Sequence, residues 1–356
     1  MPDVPIFLVS GLRPSARAFV CSTLAHGHHR PLTLTPSSTF DPCALTTRLA
    51  EDLCALDHSP SAPTSGTPAG IVIDVDPTLS TADAAQTLEQ VFTRNASAGP
   101  KPYLRDVITV ASAAEIRRLL FADPTSIADL DDAGLLAEHL EYATIILVSG
   151  LEALDSQPAH DTIALLSTLN PRARVIPAPL LTALLQTPWW AEPRRAGAMH
   201  DTMGWVLACA SDDAVASVIE TACETDSGAI DAGSALQTVT FHDPRPFHPW
   251  RLAHAISTDL SPAQAGRILR SRGVIRLASR PGRVISWTST GQGHTMTPTQ
   301  LPSWNPHAPS GQQVMFVGTD LNADHISRVL ADCLVTDAEL LAGPMEWAGY
   351  ADPFPA

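Results

Sequence analysis

Through the first half of the chain, short unbroken apolar runs alternate with stretches of helical period. That is the pattern of a parallel sheet whose strands are buried on both faces and joined by helices. Ile6–Ser10, Pro31–Thr35, Ile71–Val75, Val107–Val110 and Ile145–Val148 read as strands, and Arg174–Ile176 as the last strand of the layer. Leu45, Leu49, Leu53 and Leu56 recur at helical spacing within 44–57, and further helices are expected at 113–121 and 132–141. A loop rich in Ser, Pro, Thr and Gly from Ser59 to Gly70 punctuates this series. From about Trp189 to Gln237 the pattern weakens and reads as a linker. Beyond it, strands at Thr238–His242, Val274–Ala278, Val284–Trp287 and Val314–Gly318 surround helices near 248–259 and 322–334, a mixed α+β pattern. The expected architecture is a doubly wound α/β parallel sheet over 1–188, a linker over 189–236 and a smaller α+β domain over 237–356. A length of 356 residues, beyond ordinary single-domain size, agrees with this division.

Composition narrows the classes. The formal net charge of −15 argues against general nucleic-acid affinity and against specific DNA binding, which need Lys and Arg to neutralise phosphates. No apolar run approaches the ~18–20 residues of a membrane span. The start of the chain, with Asp3 before a short run Val4–Val9, lacks the form of a secretory signal, so a cytoplasmic protein without membrane association is expected. Cys21, Cys43, Cys54, Cys209, Cys223 and Cys333 form no CxxC pair and read as reduced thiols. One segment breaks the acidic balance: Arg267, Arg270, Arg272, Arg276, Arg280 and Arg283 follow one another with no acid between them. Extended backbone would place Arg272, Arg276 and Arg280 on one strand face, a candidate surface for an anionic partner such as ribosomal RNA.

The strand at Phe7–Ser10 runs into Gly11, where a phosphate-binding GxxxxGK[ST] loop would begin. Counting from Gly11, the second glycine is Ala16, the lysine Arg17 and the Mg²⁺-binding hydroxyl Ala18. Pro14 removes a further backbone donor. Such a loop holds phosphates through N–H groups, a lysine and a hydroxyl on Mg²⁺, and little of that set is present. Gly11, Arg17 and the strand-end acid Asp74 are what remains of a nucleotide-type site, and no catalytic residue can be named.

Three C-terminal blocks carry a resemblance: Thr240-Phe-His-Asp-Pro-Arg-Pro-Phe-His-Pro-Trp-Arg-Leu252, Gly273-Val-Ile-Arg-Leu-Ala-Ser-Arg-Pro281 and Gln313-Val-Met-Phe-Val-Gly318. With Cys333 to Leu340, Trp347 and Asp352-Pro-Phe354 they resemble the C-terminal domain of the CobW-type GTPases and metallochaperones. The first half resembles the P-loop domain of that family in organisation, through Ile71 to Asp76, Gln86 to Leu88, Leu104 to Val110 and Thr168 to Ile176. The departures fall on the functional motifs. The family's CxCC is Phe40-Asp-Pro-Cys43 here, and its guanine-reading Asn-Lys-x-Asp is replaced by Val148-Ser-Gly-Leu-Glu152.

The resemblance implies a setting in metal, specifically zinc, homeostasis. Taken with the missing motifs, it gives the expectation of a catalytically degenerate CobW-like protein that holds no cofactor and acts through an unidentified protein partner. Within Arg245–Pro249, His248 reads as a structural residue. Two other readings stay open. One is a nucleotide-dependent zinc metallochaperone with nonstandard ligands, for which His26, His28 and His29 are the candidates. The other is an anionic-surface binding module using the arginine run.

Overall fold

A computed structural model of the protein describes residues 3–26, 29–36, 41–55, 70–95, 101–192, 195–196, 235–291, 293–305, 308 and 311–355. The expected loop up to Ala69, most of the expected linker, Cys209, Cys223, His28 and Phe40 lie outside these residues, as does the side chain of His29. Among them two compact units are distinguished: residues up to 119 with 131–196, and residues 120–130 with 235–355.

In chain order the first part comprises β1 (Val4–Ser10), α1 (Pro14–Ala25), β2 (His29–Leu34), α2 (Pro42–Ala55), β3 (Gly70–Val75), α3 (Thr81–Arg94), β4 (Pro102–Ser112), α4 (Ala113–Ile116), α5 (Ile127–Tyr142), β5 (Ile145–Ser149), α6 (Ser156–Leu169), β6 (Arg174–Pro177), α7 (Leu181–Leu185) and α8 (Pro188–Ala191). All pairings in its sheet are parallel, in the order β2-β3-β1-β4-β5-β6. The α/β expectation is thereby met. Strand residues alternate between two cores: Ile6 and Leu8 pack with Leu53, Leu88 and Val91 of α2 and α3, while Phe7 and Val9 pack with Val20 and Leu24 of α1. Burial on both faces is why these strands read as unbroken apolar runs. The connections from β1 lead first to β2 and β3 on one side and later to β4 on the other. The carboxyl ends of β1, β3 and β4 therefore border a topological switch point, where open α/β sheets form their ligand sites.

The expected linker begins too early. Trp190 stacks on Phe7 with ring centroids 5.5 Å apart, the Arg105 guanidinium lies over both rings and donates to the Trp190 carbonyl, and Ala196 is buried with its N–H bonded to the Leu104 carbonyl. These contacts carry the first unit past residue 188.

The second unit contains β7 (Leu236–Asp243), α9 (Pro249–Thr258), α10 (Pro262–Ala265), β8 (Arg267–Ile275), β9 (Arg283–Thr290), β10 (Gly293–Pro302), β11 (Gln312–Thr319), α11 (Ala323–Cys333), α12 (Asp337–Ala342) and α13 (Pro344–Trp347). Its antiparallel sheet has the order β10-β9-β8-β11-β7. One core joins Phe241, Phe247, Leu252, Trp287, Phe316, Ile326 and Leu330. Two strand expectations need correction. The strand expected at Val274–Ala278 ends at Ile275 and begins at Arg267, and β10 was not anticipated.

The resemblance blocks meet in space here. Phe247 N–H donates to the Arg276 carbonyl and its own carbonyl accepts from Ala278, while His248 N–H donates to the Cys333 carbonyl and Val335 N–H to that of Pro246. Gln312, fully buried, donates to the Arg245 carbonyl and accepts from Arg276 N–H. Segments far apart in sequence are thus laced by backbone hydrogen bonds around one buried ring, which explains why they stand out as blocks.

Candidate functional site

The carboxyl end of β1 bends sharply at Gly11, whose φ is +139°; a Cβ there would lie 2.2 Å from the Val110 carbonyl oxygen. Only glycine tolerates both the angle and the approach. Helix α1 then begins at Pro14, three positions later. Proline suits the first helical position, since its missing N–H would have no helical partner there. The consequence is decisive for the loop. Positions 16, 17 and 18, which in a phosphate loop would end the curl, are already helical, and the Ala16 and Arg17 N–H groups both bond the Arg13 carbonyl at 3.2 Å.

The structure brings Gly11, Arg17 and Asp74 together. Arg17 is buried at 5% exposure. Its Nε donates to Asp74 Oδ1 at 2.6 Å and its Nη1 to the Gly11 carbonyl at 2.7 Å. Asp74 sits opposite Val9 in the β1–β3 register. One guanidinium therefore ties the first turn of α1 to the ends of two neighbouring strands. Arg13 is likewise paired, its Nε 3.1 Å from the buried Glu115, whose own N–H is capped by Ser112.

A strip of buried polar groups continues across the sheet: Ser10 Oγ lies 2.9 Å from Thr109 Oγ1, which donates to the His139 carbonyl. Burial pushes the His139 ring down to about 4, and the Arg17 charge adds to the effect, so the imidazole is neutral at neutral pH. Burial also pushes the Cys21 thiol on the inner face of α1 up to about 12. Glu115, Arg13 and this strip were not anticipated. The Ser112-x-x-Glu115 capping spacing was the available signal for the first.

These residues do not fit a nucleotide triphosphate with its Mg²⁺. The carboxylate that would hold the metal's water accepts from Arg17, the first-turn N–H groups are engaged by Arg13, and Ala18 brings no hydroxyl. At the base-reading position, Gly150 takes φ +76° and Leu151–Ala153 forms a single 3₁₀ turn.

The remaining candidates are dispersed. Asp41 caps α2 by accepting from Cys43 and Ala44 N–H, leaving Cys43 exposed at a helix start. His26 is exposed, its Nδ1 2.6 Å from the Ser22 carbonyl. His248 caps α9 and stacks on Tyr350 at 4.7 Å.

The shared strand face expected for Arg272, Arg276 and Arg280 is corrected: β8 ends at Ile275, so only Arg272 of the three lies on the strand. Arg270 and Arg272 are buried, the former donating to the Ser289 carbonyl and Thr290 Oγ1. Arg276 donates to the Ser303 carbonyl. Arg280 bonds Asp352 at 2.8 Å and the Phe354 and Pro355 carbonyls, clasping the C-terminal segment. Arg267 pairs with Asp123, and Arg283 is exposed.

Among the described residues no helix is long and apolar enough to cross a membrane. Residues 236–334 match the family described as cobalamin synthesis protein cobW C-terminal domain. The chain is 24% identical over 259 residues to zinc-regulated GTPase metalloprotein activator 1 of Dictyostelium discoideum, an alignment covering 62% of this chain and 47% of that protein. It thus spans about half the length of that relative. Among solved structures, Zn(II)-bound YjiA GTPase from E. coli aligns over 94% of this chain and 100% of its own at 11% identity, with a TM-score of 0.33. The signal recognition particle receptor FtsY from Elizabethkingia anophelis, in complex with GDP, aligns over 49% and 57% at 10% identity, with a TM-score of 0.29. Residues 236–334 thus form a domain that matches the cobW C-terminal family, and the blocks that build its core lie within it or directly after it.

Proposed function

We propose that this chain is a catalytically degenerate CobW-type protein that works by binding a protein partner in zinc homeostasis rather than by turning over nucleotide. One observation carries the reading: the buried Arg17 guanidinium is bonded to Asp74 and to the Gly11 carbonyl, where phosphate and Mg²⁺ would need free donors and a free carboxylate. Phosphoryl transfer depends almost wholly on positioning and electrostatics, and a site without lysine, metal hydroxyl or base-reading acid supplies neither. The zinc setting is supported by the name of the Dictyostelium relative.

Two assays test this together. Purified full-length chain should show no GTP or ATP turnover above a buffer blank, and capture from native extract, with and without zinc chelation, should recover a partner whose binding responds to zinc. Turnover that disappears in Asp74→Ala would overturn the degenerate reading. One tightly retained zinc per chain, lost on replacing His26, His28 and His29, would replace it with a metallochaperone using that loop.

A further inference from the structure

The Arg17 contacts extend past the loss of a motif. A guanidinium stays charged at any physiological pH, and a cation at 5% exposure is tolerated only if it is paired and hydrogen-bonded. Asp74, at the end of an otherwise apolar strand with 23% side-chain exposure, has the converse need for a positive partner. In a nucleotide-binding site of this topology that positive charge arrives with the ligand, as Mg²⁺. Here it arrives in the chain. The planar fork reaches the carboxylate of β3 and the carbonyl closing β1 at once, which a point-charge ammonium could not do with the same geometry.

We propose that Arg17 is a built-in counter-cation that ties the carboxyl ends of β1 and β3 together without any ligand. The proposal rests on the degenerate reading above and deepens it. The first unit keeps one closed form whether or not nucleotide and Mg²⁺ are present, so any regulation of the protein enters elsewhere.

The test uses the full chain, with unfolding of the first unit followed by hydrogen exchange in β1 and β3. Wild type should keep the same midpoint on addition of millimolar Mg²⁺, with or without GTP. Arg17→Ala should lower it by about 5–10 °C, the scale expected for breaking one side of a buried ion pair in a unit of this size. Should Arg17→Ala fail to fold, Arg17→Met and Asp74→Asn replace it. Each alone should lower the midpoint, and the double variant should lose clearly less than their sum. An unchanged midpoint in Arg17→Ala, additive losses in the second pair, or a wild type stabilised by Mg²⁺ with GTP would each overturn the proposal. Turnover by wild type at an unshifted midpoint would instead sink the functional reading and leave the counter-cation standing.

Discussion

Both units pair arginines with carboxylates and carbonyls, with different consequences. In the first, Arg17 stands at a loop position that would bind phosphate and satisfies, from within, the groups a ligand would have satisfied. In the second, Arg251 bonds Glu339 and the Leu334 carbonyl, and Arg280 bonds Asp352 and the tail carbonyls, at places where the backbone must be tied together whatever the protein binds. Motifs for chemistry can be lost and their space filled by one side chain. Blocks that lace a core cannot be lost without losing the domain. The second unit therefore carries the family match while the first carries the departures.

The largest effect expected from this contrast is in the second unit. Phe247 is fully buried and its backbone joins two distant segments, so Phe247→Ala should cost about 3–5 kcal/mol, read as early unfolding of β7 to β11 with β1 to β6 unchanged. Simultaneous loss in both units would mean that the two do not unfold independently.

Acid should separate the units next. His139, held down to about 4 in the fold against an ordinary 6.5, makes the unfolded chain the better proton acceptor between those values. Stability of the first unit should therefore fall by about 3 kcal/mol as pH drops from 6.5 to 4. Hydrogen bonding to Arg251 holds Glu339 down to about 2, so its contribution to the second unit is complete above about 4.5 and is lost as pH falls from there towards 2. Exchange rates followed along a pH series should show the first unit loosening before the second. The reverse order would contradict both assignments.

Much of this was readable in the chain. Strands buried on both faces, such as Ile71–Val75, announce themselves as continuous apolar runs. β8 did not, because Arg270 and Arg272 interrupt its pattern. The burial of Arg270 depends on the Ser289 carbonyl and Thr290 Oγ1, acceptors that arrive from a neighbouring strand and leave no local trace. β10 carries Pro298 and Pro302, which read as breakers, yet it is an edge strand, where a missing N–H is tolerated. At the site, the replacement of the loop's second glycine, lysine and hydroxyl by Ala16, Arg17 and Ala18 was plain. That Arg17 turns back onto Asp74 was not, since residue spacing does not fix a rotamer, and neither was the early start of α1 at Pro14.

Smaller effects sharpen the reading of the arginine run. Arg280→Ala should cost about 1–2 kcal/mol and raise exchange in residues 350–355, because it removes charge-assisted bonds to that segment. Arg283→Ala, at an exposed position, should stay within about 0.5 kcal/mol. A larger loss at Arg283 than at Arg280 would show that the run does not divide as described.

Restoring the loop letters gives a further check. Ala16→Gly, Arg17→Lys and Ala18→Thr together should not create turnover, because the helix starting at Pro14 removes the curl those residues require. The most direct measurement is equilibrium binding of Mg²⁺ with a nonhydrolysable GTP analogue to the full chain. The Arg17–Asp74 pair predicts no saturable binding in wild type at millimolar nucleotide. Saturable one-to-one binding that Asp74→Ala abolishes would contradict it.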